Sequence, residues 1–328
     1  VLHLVRNNSP YTAIILFIFT LVLQVQSLMH AVLPQASEHQ LVYGYVLQFC
    51  SVFFGKSAFA FSLLAVFILY AQAIFLNAIV AQFKLYKHNT YLVSFSFIAL
   101  CSLHPALSNF SPLLLVNIFV LLAIRELLKM KQAQQVNKEL FNLGFIIMMA
   151  ALIHFSSILL LLFLFIALLI LRPFNFREWM IAFVGLLMPL YFFGVLLFWQ
   201  DNFSAIYHWP DLGISLPKQL LHAKYYLGLM VGLIIWFSMS VYNMQMQLPK
   251  APIYIRRYWI SLTFLLMLSV FAAIFSNSRV NAVWLICLPA LSLVLANAFL
   301  NERSKKMNTI SFYFALALVL FCQIFLPI

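Results

Sequence analysis

The residues able to do chemistry fall in four polar stretches separated by long apolar runs. The first runs from His30 to Gln40 and holds Glu38 beside His39. The second is His104-Pro105-Ala106-Leu107-Ser108-Asn109-Phe110-Ser111-Pro112. The third holds Asp201, Tyr207, His208, Trp209, Pro210, Asp211, Lys218, His222 and Lys224. The fourth is the turn Ser276-Asn277-Ser278-Arg279. Glu38 can act as general base on a hydroxyl, which requires hydrogen-bond reach of the proton removed, or it can bind a divalent metal. Arg279, with Lys218 or Lys224, can neutralise a phosphate through charge-assisted contacts. Tyr207 or Trp209 can stack on a sugar, and His39 and His104 add polar groups. No two histidines stand at i, i+4 spacing on one expected helix, so a zinc site would need tertiary convergence. Polar loops at a membrane surface carry His, Trp and Tyr for ordinary reasons as well.

The elements that must position these residues are membrane helices. The chain is 65% hydrophobic and 8% charged, against about 25% charged in a soluble average. With roughly 20 apolar residues needed per crossing, spans are expected near 11–29, 58–83, 91–107, 112–128, 141–153, 156–171, 178–200, 221–241, 257–275, 280–300 and 308–327. The sequence thus predicts an all-α polytopic integral membrane protein of about eleven transmembrane helices. The short run Leu41 to Phe54, with Tyr43, Tyr45 and Phe49, is expected as a helix at the interface or tucked into the protein.

Lys and Arg mark cytoplasmic loops. A cytoplasmic N-terminus puts Arg6, Lys84, Lys87, Arg125, Lys129, Lys131, Lys138, Arg172, Arg177, Lys250, Arg256, Arg257, Arg303, Lys305 and Lys306 inside. Only Lys56, Lys218, Lys224 and Arg279 remain outside, a division of fifteen to four. The run 141–171 decides this. Read as a single helix it would be about 46 Å long, and the division would collapse to ten against nine. Two short helices meeting near His154-Phe155-Ser156-Ser157 preserve it, if neighbours shield them. Six of the eight histidines then lie outside (His30, His39, His104, His154, His208 and His222), with Glu38, Asp201 and Asp211. The net charge of +12 follows mostly from the inner excess, with anionic lipid head groups as natural partners and no need for nucleic acid.

Cys50, Cys101, Cys287 and Cys322 form no CxxC pair and read as small apolar residues. The first apolar stretch lacks a small-residue cleavage pattern and is expected to be an uncleaved span. No soluble domain or internal repeat is evident. Gln72, Asn77 and Asn117 lie mid-span, where amides commonly join helices. In Arg172-Pro173-Phe174-Asn175-Phe176-Arg177-Glu178-Trp179, Pro173 breaks the helix. Glu178 suits the N-terminus of the next helix and lies within reach of Arg172.

The order of these features resembles type-C membrane glycosyltransferases (GT-C). The residues that carry the resemblance are Glu38 in the first outer loop, the amphipathic 41–54 piece, Gly55-Lys56-Ser57-Ala58-Phe59-Ala60-Phe61 opening the second span, His104-Pro105 closing the third, and Asn142-Leu143-Gly144-Phe145 opening the fifth. It covers residues 1–200 of a single 1–328 transmembrane domain, leaving 201–328 as C-terminal helices. Here the acid is a single Glu where an Asp or a paired acidic motif is usual, and the basic residue frequent early in the second span is absent unless Lys56 replaces it. The resemblance implies a sugar donor linked to polyprenyl phosphate, used at the outer face of a bacterial inner membrane, with Glu38 as the catalytic carboxylate. The chain is also similar to uncharacterised polytopic inner-membrane proteins of Bacteroidota, through Ile170-Leu171-Arg172-Pro173-Phe174-Asn175-Phe176-Arg177-Glu178-Trp179 ahead of Gly185 and Pro189. That resemblance implies location without activity.

Three functions are therefore expected in order: a glycosyltransferase-like enzyme, a non-catalytic subunit of an envelope assembly built on the same scaffold, and a lipid or solute transporter. The C-terminus is expected in the periplasm.

Overall fold

A computed structural model describes residues 10–37, 39–130, 136–207, 209–211, 213, 224–276, 281–301 and 305–325. Among them every regular element is a helix. In chain order these are α1 (Pro10–Leu23), α2 (Val25–Met29), α3 (Leu41–Phe54), α4 (Ala58–Phe83), α5 (Leu92–Cys101), α6 (Pro112–Lys129), α7 (Asn137–Ile153), α8 (Leu160–Leu171), α9 (Phe176–Trp199), α10 (Lys224–Gln247), α11 (Ile253–Ile274), α12 (Leu288–Ala296) and α13 (Lys305–Phe325). Short 3-10 turns flank several of them, at Pro105–Leu107, Phe155–Leu159, Asn281–Cys287 and Asn297–Phe299.

Among the described residues six stretches are long and apolar enough to cross a bilayer: Ala58–Phe83, Phe176–Trp199, Lys224–Lys250, Ile253–Ile274, Ala282–Phe299 and Lys306–Phe325. Their length and composition suit a multi-pass membrane protein. Helix also occupies the other five expected spans: α6 covers 112–128 and α7 covers 141–153 in one piece each, a 3-10 turn and α8 share 156–171, and the remaining two are interrupted. The expected 11–29 span is broken at Gln24. The carbonyl of Leu23 freed by that break accepts from Gln323 Nε2 at 2.7 Å, and Gln24 Nε2 meets Ser102 Oγ at 3.3 Å. The expected 91–107 span is only a ten-residue helix followed by a corner.

The short helix α5 is sheltered by its neighbours, whereas α1 exposes Ile14, Ile18 and Val22. All ten residues of α5 are buried, as is 89% of the best apolar window in Ala282–Phe299, against 22% for Lys224–Lys250. The core therefore centres on α5, α6, α7 and the 282–299 stretch. In it α5 packs on α4 and α12, α6 on α7 and α4, α7 on α9, and α8 on α11. A buried short helix keeps its end groups away from lipid, where unsatisfied backbone would cost several kcal/mol. Amides join the bundle internally, as Gln72 Nε2 does in donating to Leu114 O at 2.8 Å, tying α4 to α6.

The break expected within 141–171 is present. Helix α7 stops at Ile153, His154 adopts extended backbone (φ −145°, ψ 114°), and a 3-10 turn leads into α8. The Arg172 corner also forms as its residues suggest. Asn175 caps α9 by accepting from the Arg177 amide at 3.1 Å, Arg172 Nη1 donates to Glu178 at 2.8 Å, and Trp179 stacks on Phe165. Helix α3 presses Tyr43 inward, its hydroxyl donating to Phe110 O at 3.1 Å. Its opposite face exposes Phe49, Val52 and Phe53, the amphipathic division expected of an interfacial helix. Gly55 ends it at φ +57°, a conformation that favours glycine.

The long helices α4 and α10 carry their charges at their ends and none in between. Lys56 precedes α4 and Lys84 follows it, while Lys224 begins α10 and Lys250 lies just past its end. Lys84, Lys87 and Lys250 line one recess. Arg172 and Arg257 line another nearby.

Candidate functional site

At the end of the bundle opposite those basic recesses, His104 turns the chain after α5. Its Nδ1 accepts from the Ala106 amide at 3.0 Å, so in the neutral ring the proton sits on Nε2. Nε2 faces Tyr226 Oη at 3.3 Å, with the two rings nearly parallel. Pro105 fixes this corner, and Ser111 with Pro112 starts α6 by capping the Leu114 amide at 3.3 Å.

Behind the His104–Tyr226 pair lies an apolar groove of about 370 Å³, walled by α10, α11, the end of α5 and residues 284–291. Such a volume lies within the range of small-ligand sites. On α10 its wall runs from Tyr226 to Phe237, about 16 Å of helix. Met230 is 41% exposed and Phe237 38%, so the groove opens on the outer flank of the bundle. Its lining is Leu, Met, Phe and Val except at the mouth, where His104 and Tyr226 sit, and beside Trp284 and Cys287.

A second polar cluster stands at the same end. His154 Nε2 meets Ser276 Oγ at 3.0 Å, joining the α7–α8 corner to the residue just past the C-cap of α11. The Gly213 amide donates to Phe275 O at 3.3 Å, and Trp209 sits edge-on to Phe155 with centroids 5.0 Å apart. Trp209 and Gly213 are thereby fastened beside the corner. Burial holds the His154 imidazole down, at about 4, against the upward pull of Asp211.

This gives the first expected result. The folded value lies below the ordinary 6.5, so folding favours the neutral ring. The contribution is fully present above about pH 6.5 and is lost as pH falls towards about 4, at about 1.4 kcal/mol per pH unit. Thermal unfolding in detergent between pH 7.5 and 4.5 should show a steeper acid loss for the wild type than for His154→Gln. Parallel curves would remove His154 from the acid response.

The positions of the expected site residues differ in kind. His104 lies at the groove mouth. Lys224 is exposed at the first residue of α10, two before Tyr226. His39 is half-buried just ahead of α3. Tyr207 is 79% exposed, whereas Trp209 is 8% exposed and spends its ring on Phe155, so of the two only Tyr207 presents an open face. Glu38, Lys218 and Arg279 lie outside the described residues, as do His208 and His222. Among the described residues no three His, Cys, Asp or Glu side chains group as metal ligands. Sequence reasoning missed Tyr226 and the groove it caps. The available signal was Lys224-Tyr225-Tyr226 at the head of a long apolar helix. No family model matches this chain, and no match is found among curated proteins or solved structures.

Proposed function

We propose that this protein is a GT-C-like inner-membrane glycosyltransferase of about eleven spans that holds the chain of a polyprenyl-phosphate-linked sugar in the α10–α11 groove. The head group sits at the outer face, beside His104 and Tyr226. The observation that carries this reading is the groove itself: apolar along about 16 Å, open on the flank of α10, and polar only towards its mouth. A lipid with a long apolar tail and a polar head suits that division, because each part keeps the solvent it prefers. Lys224 begins the helix that carries Tyr226, and Arg279 follows Ser276 by three residues in the sequence. They supply the charge that a lipid phosphate needs, with Glu38 as the base.

The test is photo-crosslinking of the purified protein in nanodiscs with a diazirine-bearing polyprenyl phosphate. Label should map to α10 or to residues 284–291. Leu229→Trp, which fills the groove from α10, should cut labelling about tenfold, or about 1.4 kcal/mol of binding. Uniform labelling of all lipid-facing helices, unchanged by Leu229→Trp, would defeat the reading.

A further inference from the structure

A second cavity lies at the basic end and does not depend on the proposed reaction. The last residues of α6 and α8 meet the start of α11 around a space of about 490 Å³, bordered by Met130, Leu171, Arg172, Ile253, Tyr254 and Arg257. It stands one full helix away from the His104 corner, because α6 begins just after that corner at Pro112 and ends at Lys129.

Two guanidinium groups share this space, and no carboxylate lines it among the described residues. Arg172 uses Nη1 on Glu178, which fixes the side chain and leaves further N–H donors of its five. Arg257 is exposed and has no carboxylate partner among the described residues. The Tyr258 hydroxyl is committed to Leu128 O at 2.8 Å and forms part of the wall. The cavity also adjoins the N-terminal turn of the 22-residue α11, whose dipole adds positive potential there. Opposite these groups the walls are apolar, from Met130, Leu171 and Ile253. Ile253 is 65% exposed, and Phe174 and Phe176, next along the chain from Arg172, are exposed too. A charged pocket bordered by exposed apolar side chains is suited to the head-group level of a membrane.

The geometry points to a specific site for an anionic phosphodiester head group, that of a phosphatidylglycerol-type lipid, with its phosphate between Arg172 and Arg257 and its first acyl carbons against Leu171 and Ile253. Arg forks match phosphate oxygens in pairs.

The test uses the full chain in nanodiscs of phosphatidylcholine alone or mixed equally with phosphatidylglycerol, followed by mild detergent extraction and native mass spectrometry. Wild type should retain phosphatidylglycerol selectively. Arg257→Gln should retain about tenfold less. Arg256→Gln, the same charge change one residue away and outside the cavity lining, should retain the wild-type amount. Arg172 is left intact because removing it would strand Glu178. A parallel arm measures thermal stabilisation of lipid-stripped protein by inorganic phosphate. Stabilisation lost only in Arg257→Gln, without retention of phosphatidylglycerol, would keep the phosphate site and assign it to a soluble ligand. Equal lipid retention by all three proteins, with equal response to phosphate, would overturn the site.

Discussion

Gly185→Val should leave no monodisperse protein after detergent extraction, while Gly194→Ala on the same helix should behave as wild type. The difference follows from how α7 and α9 meet. A side-chain carbon built on Gly185 would run into the Phe141 carbonyl oxygen, and one on Gly144 into the Ala182 carbonyl oxygen, both well under 3.0 Å. These obstacles are backbone, so no rotamer change can move them aside. The helices would have to part, and with them the most extensive helix pairing in the molecule. Lipid tails are as apolar as leucine, so membrane helices associate largely through such close packing, and small residues are what permit it. Overpacking in soluble cores costs about 1–3 kcal/mol, and a backbone obstacle belongs at or above the upper end. Pro189 adds to the constraint, because it removes the helical donor to the Gly185 carbonyl four residues earlier. At Gly194 nothing lies within 4 Å of the added carbon, so alanine there is free to gain helix propensity. Gly185→Ala should already lower the unfolding temperature, and Gly144→Ala should add little on top of it, since both part the same pair. A Gly185→Val protein with wild-type elution and unfolding would show that α7 and α9 do not depend on this contact.

The helices were legible in the sequence because apolar length is a property of the chain alone. The break at His154 was legible for a different reason: only two helices there keep the basic residues on one side. The Arg172–Glu178 pair followed from proline, a cap and charge at short range. What stayed hidden is which apolar surface meets protein and which meets lipid. Tyr225 and Tyr226 are chemically identical neighbours, yet Tyr225 is exposed and Tyr226 is buried against His104. Gly144 and Gly185 were both visible as parts of motifs, but nothing along the chain says that they lie on facing helices. Trp209 looked like an open aromatic face, because its partner Phe155 is far off in sequence. The groove is the extreme case. Its walls come from four separate segments, each of which reads as an ordinary apolar stretch.

Replacing Glu38 by Gln should lower turnover by about 10²–10⁴-fold, the ordinary value of a positioned general base, while leaving lipid binding intact. Glu38 itself lies outside the described residues, but its neighbours on both sides are placed. Helix α2 before it abuts the Pro105–Leu107 turn. Helix α3 after it is pinned by Tyr43 to Phe110 O and by Tyr45 to Gln200. Both of those flanking segments reach the corner that carries His104, and two residues, His39 and Gln40, stand between Glu38 and Leu41 in the sequence. Glutamine keeps the size of the side chain but turns one acceptor oxygen into an amide donor, and it removes the negative charge and the capacity to take a proton. The suitable readout is release of free polyprenyl phosphate, a product common to every such donor, as the sugar passes to an acceptor hydroxyl that loses its proton to the base. It is measured with purified protein, a panel of polyprenyl-phosphate hexoses and an envelope extract supplying hydroxyl acceptors. Glu38→Gln should depress kcat and spare crosslinking of the lipid probe. Leu229→Trp should do the reverse, weakening binding with less effect on bound substrate. Wild-type kcat in Glu38→Gln would end the assignment of this residue. A wild-type protein that binds the probe yet releases no polyprenyl phosphate from any donor would favour the non-catalytic scaffold, because binding would then be present without chemistry.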